Sequence, residues 1–73
     1  MAELDVTSEV AGVVFTIDTT PGARVAGGDL LLVLESMKME IAMNAPADGT
    51  VTEILVEEGM PVLQGQALLR LRT

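Results

Sequence analysis

The stretch Thr16-Ile17-Asp18-Thr19-Thr20-Pro21-Gly22 decides the fold, because it settles how a second stretch, Thr52-Glu53-Ile54-Leu55-Val56-Glu57-Glu58-Gly59, is to be read. Taken alone, the second has the apolar spacing of an amphipathic helix with a glycine stop. The first is dense in β-branched residues, whose stiff χ1 suits a strand, and it ends in a Pro-Gly turn signal. The two stretches occupy equivalent places in an internal repeat. A shift of 37 positions carries Gly12 onto Gly49, Val14 onto Val51, Ile17 onto Ile54 and Gly22 onto Gly59 without a gap. The same shift carries Val25 onto Val62, Gly28 onto Gly65, and Leu31, Leu32 and Leu34 onto Leu68, Leu69 and Leu71. It reaches back to Val6 opposite Met43 and Leu4 opposite Ile41. If the copies share a structure, both stretches are strands and the chain is all-β.

Two copies are too few for a solenoid, which predicts a closed pair of half-domains related by a pseudo-two-fold axis. Turns at Ala26-Gly27-Gly28-Asp29 and Leu63-Gln64-Gly65-Gln66 precede the aliphatic runs 30–34 and 67–71, which read as further strands. Gly22 and Gly59 are the expected positions of positive φ. Phe15 is the only aromatic residue, so the core must be built almost wholly from Val, Leu and Ile. The expected architecture is a flattened β-barrel or sandwich of two four-stranded halves, a barrel-sandwich hybrid, spanning residues 1–73 as one domain.

With 73 residues and 49% hydrophobic content, the chain can bury a real but limited core. It contains no cysteine and no histidine, which removes disulfides, thiolate metal sites, the commonest metal ligand and the commonest general base together. No catalytic or metal-binding set is therefore expected. A net charge of −7 argues against binding a phosphate backbone, so nucleic acid is an improbable partner. The longest apolar run, 30–34, is far too short to span a membrane. The first residues lack the basic and apolar regions of a signal peptide, so the chain reads as cytoplasmic.

One lysine is present, Lys38, in Glu35-Ser36-Met37-Lys38-Met39-Glu40 at the junction of the two copies. An amine placed where a duplicated chain reverses looks more like an attachment point than a catalytic group. The blander alternatives are a solvated lysine and two methionines filling the core.

These six residues, followed by Ala45-Pro46-Ala47-Asp48-Gly49 and bracketed by two Gly-x-x-Val-x-x-Gly segments at 22–28 and 59–65, resemble the biotinyl (biotin carboxyl carrier) domain of biotin-dependent carboxylases and decarboxylases. Met-Lys-Met is the specific element. Lipoyl domains share the architecture but usually carry Asp-Lys-Ala around the modified lysine. The resemblance implies that Met37 and Lys38 form the centre of a hairpin turn and that biotin is joined covalently to Lys38 by a biotin protein ligase. It further implies that Met37 and Met39 are recognition residues, with Glu35, Ser36 and Glu40 shaping the turn. Biotin would carry carboxylate between biotin carboxylase and carboxyltransferase partners. Ser36 stands where many members have alanine, the 8–12 segment lacks the usual proline, and Gly59-Met60 replaces a common Gly-Asp. The gapless repeat leaves no room for the thumb insertion of some acetyl-CoA carboxylase carriers. A free-standing biotin carrier, a lipoyl carrier and an unmodified β-sandwich interaction module remain competing readings.

Overall fold

The computed structural model describes residues 2–73. It contains eight strands: β1 (Glu3–Thr7), β2 (Gly12–Ile17), β3 (Arg24–Val25), β4 (Leu30–Ser36), β5 (Met39–Asn44), β6 (Gly49–Ile54), β7 (Pro61–Val62) and β8 (Ala67–Arg72). They form two four-stranded antiparallel sheets, ordered β1-β8-β6-β3 and β5-β4-β2-β7. The all-β expectation and the flattened sandwich are both observed.

Each repeat contributes four strands, as expected, but the halves are not separate bodies. Replacing every strand of the first sheet by its mate in the other copy reproduces the second sheet, so each sheet takes two strands from each half. The sheets stay two open ladders facing one another, which corrects the picture of a closed pair of half-domains. The physical reason is that a two-residue strand such as β3 or β7 cannot cover a half-domain's core, whereas exchanged strands bury both copies' leucines in one interior.

The strand assignment for the two deciding stretches holds at their beginnings and fails at their ends. β2 stops at Ile17 and β6 at Ile54. Beyond those points the chain must turn so that the Gly22 and Gly59 amides can donate to the carbonyls of Val51 and Val14, both at 2.7 Å. Neither stretch is helical.

Gly22 and Gly59 have φ of 90° and 88°, and Gly28 and Gly65 follow the same symmetry at 93° and 85°. The symmetry extends to the irregularities. The β2–β4 ladder shifts register between Val14 and Thr16, and the β6–β8 ladder shifts between the equivalent Val51 and Glu53. A second pair of shifts skips Leu31 in the β4–β5 ladder and Leu68 in the β1–β8 ladder. At those points two consecutive leucines face inward, which an unbroken period-2 strand does not allow.

The core is two symmetric triplets, Leu31, Leu32 and Leu34 with Leu68, Leu69 and Leu71, all fully buried. Val14, Val51, Val6, Met43 and Val62 pack around them, with the isoleucines only half-buried at the margin. Phe15 stays out of the core, 49% exposed.

A side chain at Gly22 or Gly59 would meet open space, so substitution there costs backbone strain alone. Gly22→Val and Gly59→Val should therefore each lower unfolding free energy by roughly 1–3 kcal/mol, and by matching amounts. Denaturant melts check this; tolerance at one position and loss at the other would show that the two turns are not equivalent.

Candidate functional site

The β4–β5 hairpin is held in register by what it buries. Leu34 pairs with Ile41 and Leu32 with Met43, on the side of the sheet that faces the core. A one-residue slip would turn Leu34 to solvent, so the register is strongly determined. That register fixes Glu35 opposite Glu40 and Ser36 opposite Met39, and leaves Met37 and Lys38 as a two-residue loop.

A two-residue loop between twisted antiparallel strands favours a primed turn, with positive φ at both central positions. Met37 has φ 52° and Lys38 φ 64°, the only positive values outside glycine among the described residues. Each costs on the order of 1–2 kcal/mol for an L side chain. The buried ladder imposes the turn, and the tip residues adopt it against their own preference.

The base of the hairpin is tied down independently. Ser36 Oγ donates to the carbonyl of Ala11 at 2.8 Å, joining the turn to the loop ahead of β2. Gly12 lies so close to the Glu35 carbonyl oxygen that a Cβ there would collide with it, so the absence of a side chain lets the two strands approach. Ser36 thus anchors the turn, a more definite part than its small size alone suggests. The Ala11 contact crosses 25 positions of sequence and leaves no local signal by which it could have been read.

At the tip, Met37 is 92% exposed and Met39 64% exposed. Neither fills the core. Lys38 is exposed as well, and no ion pair or side-chain hydrogen bond holds its amine among the described residues. Glu35 and Glu40, both exposed, stand directly opposite each other in the strand pair that leads into the turn. The six residues singled out in the sequence therefore share one hairpin end. A surface depression bordered by Ile17, Arg24, Asp29 and Leu30 lies at the far end of β4 and takes no part in this arrangement. Among the described residues, no three acidic, cysteine or histidine side chains converge on a metal position, and no helix is long and apolar enough to cross a membrane.

The architecture is that of a barrel-sandwich hybrid displaying one lysine on a strained two-residue turn. A family model described as "Biotin-requiring enzyme" matches residues 5–71, and the chain belongs to that family. Among curated proteins, it is 39% identical over 67 residues to the biotin-dependent acyl-coenzyme A carboxylase alpha3 subunit of Mycobacterium leprae, an alignment covering 92% of this chain and 11% of that one. Among solved structures, a single-chain, multi-domain long-chain acyl-CoA carboxylase superposes with a TM-score of 0.90 at 35% identity, over 97% of this chain and 7% of that one. The lipoyl domain of the 2-oxoglutarate dehydrogenase complex from Azotobacter vinelandii gives 0.75 at 34% identity, over 88% of this chain and 81% of that domain. The chain thus spans about a tenth or less of the carboxylases it matches.

The strain at the tip predicts that Met37 and Lys38 cost stability. Replacing Met37-Lys38 by Asn-Gly, through Met37→Asn with Lys38→Gly, supplies the residues a primed turn prefers. Unfolding free energy should rise by about 1 kcal/mol or more while the exposed amine at the tip is lost. A thermal midpoint no higher than that of the parent protein would mean the turn is not strained.

Proposed function

We propose that the chain is a cytoplasmic biotin carrier, with biotin joined by an amide bond to Lys38. The carrying observation is that the only lysine, in a member of a biotin-requiring family, stands exposed at the centre of a two-residue hairpin turn, with no ion pair among the described residues. An amine to be acylated by another protein must be accessible, free of competing partners and held in a reproducible place. The turn meets all three requirements, so the residues present fit the group.

The roles follow from the positions. The Lys38 ammonium must give up its proton before its nitrogen attacks the carbonyl of biotinyl-adenylate, forming the amide as AMP leaves; the ligase supplies the base, since no carboxylate among the described residues is ion-paired to the amine. Met37 and Met39 offer two exposed, adaptable apolar contacts on either side of the amine, suited to a ligase that must recognise this lysine. Glu35 and Glu40 mark the base of the tip with negative charge, and Ser36 holds it against the Ala11 loop. Bound biotin supplies a ureido nitrogen that accepts and gives up a carboxyl group at the sites of a biotin carboxylase and a carboxyltransferase. The rigid tip presents it at high local concentration to both sites.

The lipoyl reading has a specific observation in its favour, the fold shared with a lipoyl domain over most of both chains. Met37 and Met39 oppose it, standing where lipoyl domains usually carry Asp and Ala.

Intact mass decides between them. After incubation with biotin, ATP and a biotin protein ligase, the chain should gain roughly 226 Da, against roughly 188 Da for lipoate with its own ligase, because one amine takes one amide-linked acyl group. Lys38→Arg keeps the charge and removes the acylatable amine, so the gain should vanish while the melting temperature stays unchanged. A Lys38→Arg protein that still binds avidin would refute the reading.

A further inference from the structure

The internal repeat provides a control for every surface position, since a residue and its mate 37 places on occupy equivalent points on the two outer faces. On the sheet holding β8, Arg24, Thr50, Arg72 and Glu3 lie side by side across four strands. Beside them runs the row Glu53, Arg70 and Asp5. Every one is polar, and all the ion pairs found among the described residues lie on this face. Arg70 meets Asp5 and Glu53 at 3.2 Å each, and Arg72 meets Glu3 at 3.9 Å.

The hairpin-bearing sheet has the opposite character at the same positions. Its first row is Pro61, Val13, Glu35 and Glu40, and its second is Thr16, Val33 and Ala42. Where the other face has Thr52 at the bulge, this one has Phe15. Val13 is 41% exposed and Phe15 49% exposed. Where the other face has the Arg72–Glu3 pair, this one sets two carboxylates directly opposite each other. Opposed like charges destabilise a sheet unless something neutralises them, and no cation among the described residues does so. The fold cannot require this apolar, acid-edged surface, because its twin does without it.

We propose that this outer face, centred on Val13 and Phe15 and edged by Glu35 and Glu40, is the surface on which the biotin protein ligase docks while Lys38 enters its active site. The proposal rests on the reading of Lys38 as the biotinylated residue. The face continues into the tip, since the Glu35–Glu40 row is the last outward-facing one before the turn. An unmodified lysine reaches only the length of its own side chain, so an enzyme acylating it must close against the hairpin and the sheet face behind it. A partner addressing biotin on its extended arm has no such need. The complementary ligase surface is an apolar patch bordered by lysine or arginine. A second copy of the chain fits less well, because an isologous contact would bring together two faces that each carry uncompensated carboxylates.

The repeat also supplies the test. Val13→Thr with Phe15→Thr installs the residues that Thr50 and Thr52 already place in the twin positions, so the fold should be kept, and an unchanged thermal midpoint checks that. With the full chain, biotin, ATP and a purified bacterial biotin protein ligase, the double variant should show KM for the chain raised about tenfold or more, with kcat unchanged. Thr50→Ala with Thr52→Ala, on the twin face, should leave both constants alone. Wild-type KM should rise with added salt, as carboxylates facing a basic border require. An unaltered KM in the Val13/Phe15 variant overturns the proposal. So does a wild-type chain that sediments as a dimer which this variant abolishes, since the face would then belong to a second copy. A wild-type chain that takes no biotin at all removes the reading of Lys38, and the docking surface with it.

Discussion

The structure depends on the burial of two leucine triplets, related by the internal two-fold, between two sheets that each draw strands from both copies. The triplets set the register of β4 and β8, and through β4 they set the register of the hairpin. Displacing Leu34 from the interior would move Lys38 along the strand and change the direction in which its amine points. Lys38 is positioned by a core from which it stands apart, exposed at the tip.

This arrangement explains how the tip can hold residues unsuited to its geometry. A hairpin stabilised by its turn alone would need glycine or asparagine at the centre. Here the ladder between β4 and β5 is anchored by buried Leu32, Leu34 and Met43, the hydroxyl of Ser36 and the close approach at Gly12. Against that much burial, a local cost of a few kcal/mol at Met37 and Lys38 is sustainable. The strain has a use: a turn over-determined by its surroundings holds a flexible side chain's root in one place.

The repeat made most of this legible in the sequence. Because Gly22 and Gly59 carry one signal twice, their positive φ and the non-helical nature of the 52–59 stretch could be read with no coordinates. The place of Lys38 at a chain reversal was legible because it stands at the junction of the copies. Strand exchange between the halves was not legible, since a repeat states that two segments are equivalent and not which sheet each one joins. The ends of β2 and β6 follow from a related cause: the β-branched Thr19 and Thr20 suit an extended chain whether or not it finds a ladder, and long-range donation from Gly22 to Val51 turns the chain away from one. The anchoring by Ser36 depends on a contact with Ala11 that has no periodicity to reveal it.

A duplicated fold separates what the architecture needs from what a partner needs. Positions at which both copies agree are those on which the sandwich relies: the leucine triplets, the glycines at positive φ, the paired bulges and Gly12 with Gly49, whose missing side chains admit the equivalent carbonyls of Glu35 and Arg72. Positions at which the copies disagree have been released from that demand. In this chain the disagreements gather on one side. The twin of the ion-paired outer face is the apolar face behind the turn. The pseudo-two-fold is therefore nearly intact inside and broken outside, and broken toward the end that displays the lysine. Packing energy explains the first pattern, because a leucine buried between exchanged strands has one best position in either copy. It does not explain the second, because polar side chains already satisfy the same backbone on the twin face. Contact with the proposed ligase would supply the missing constraint.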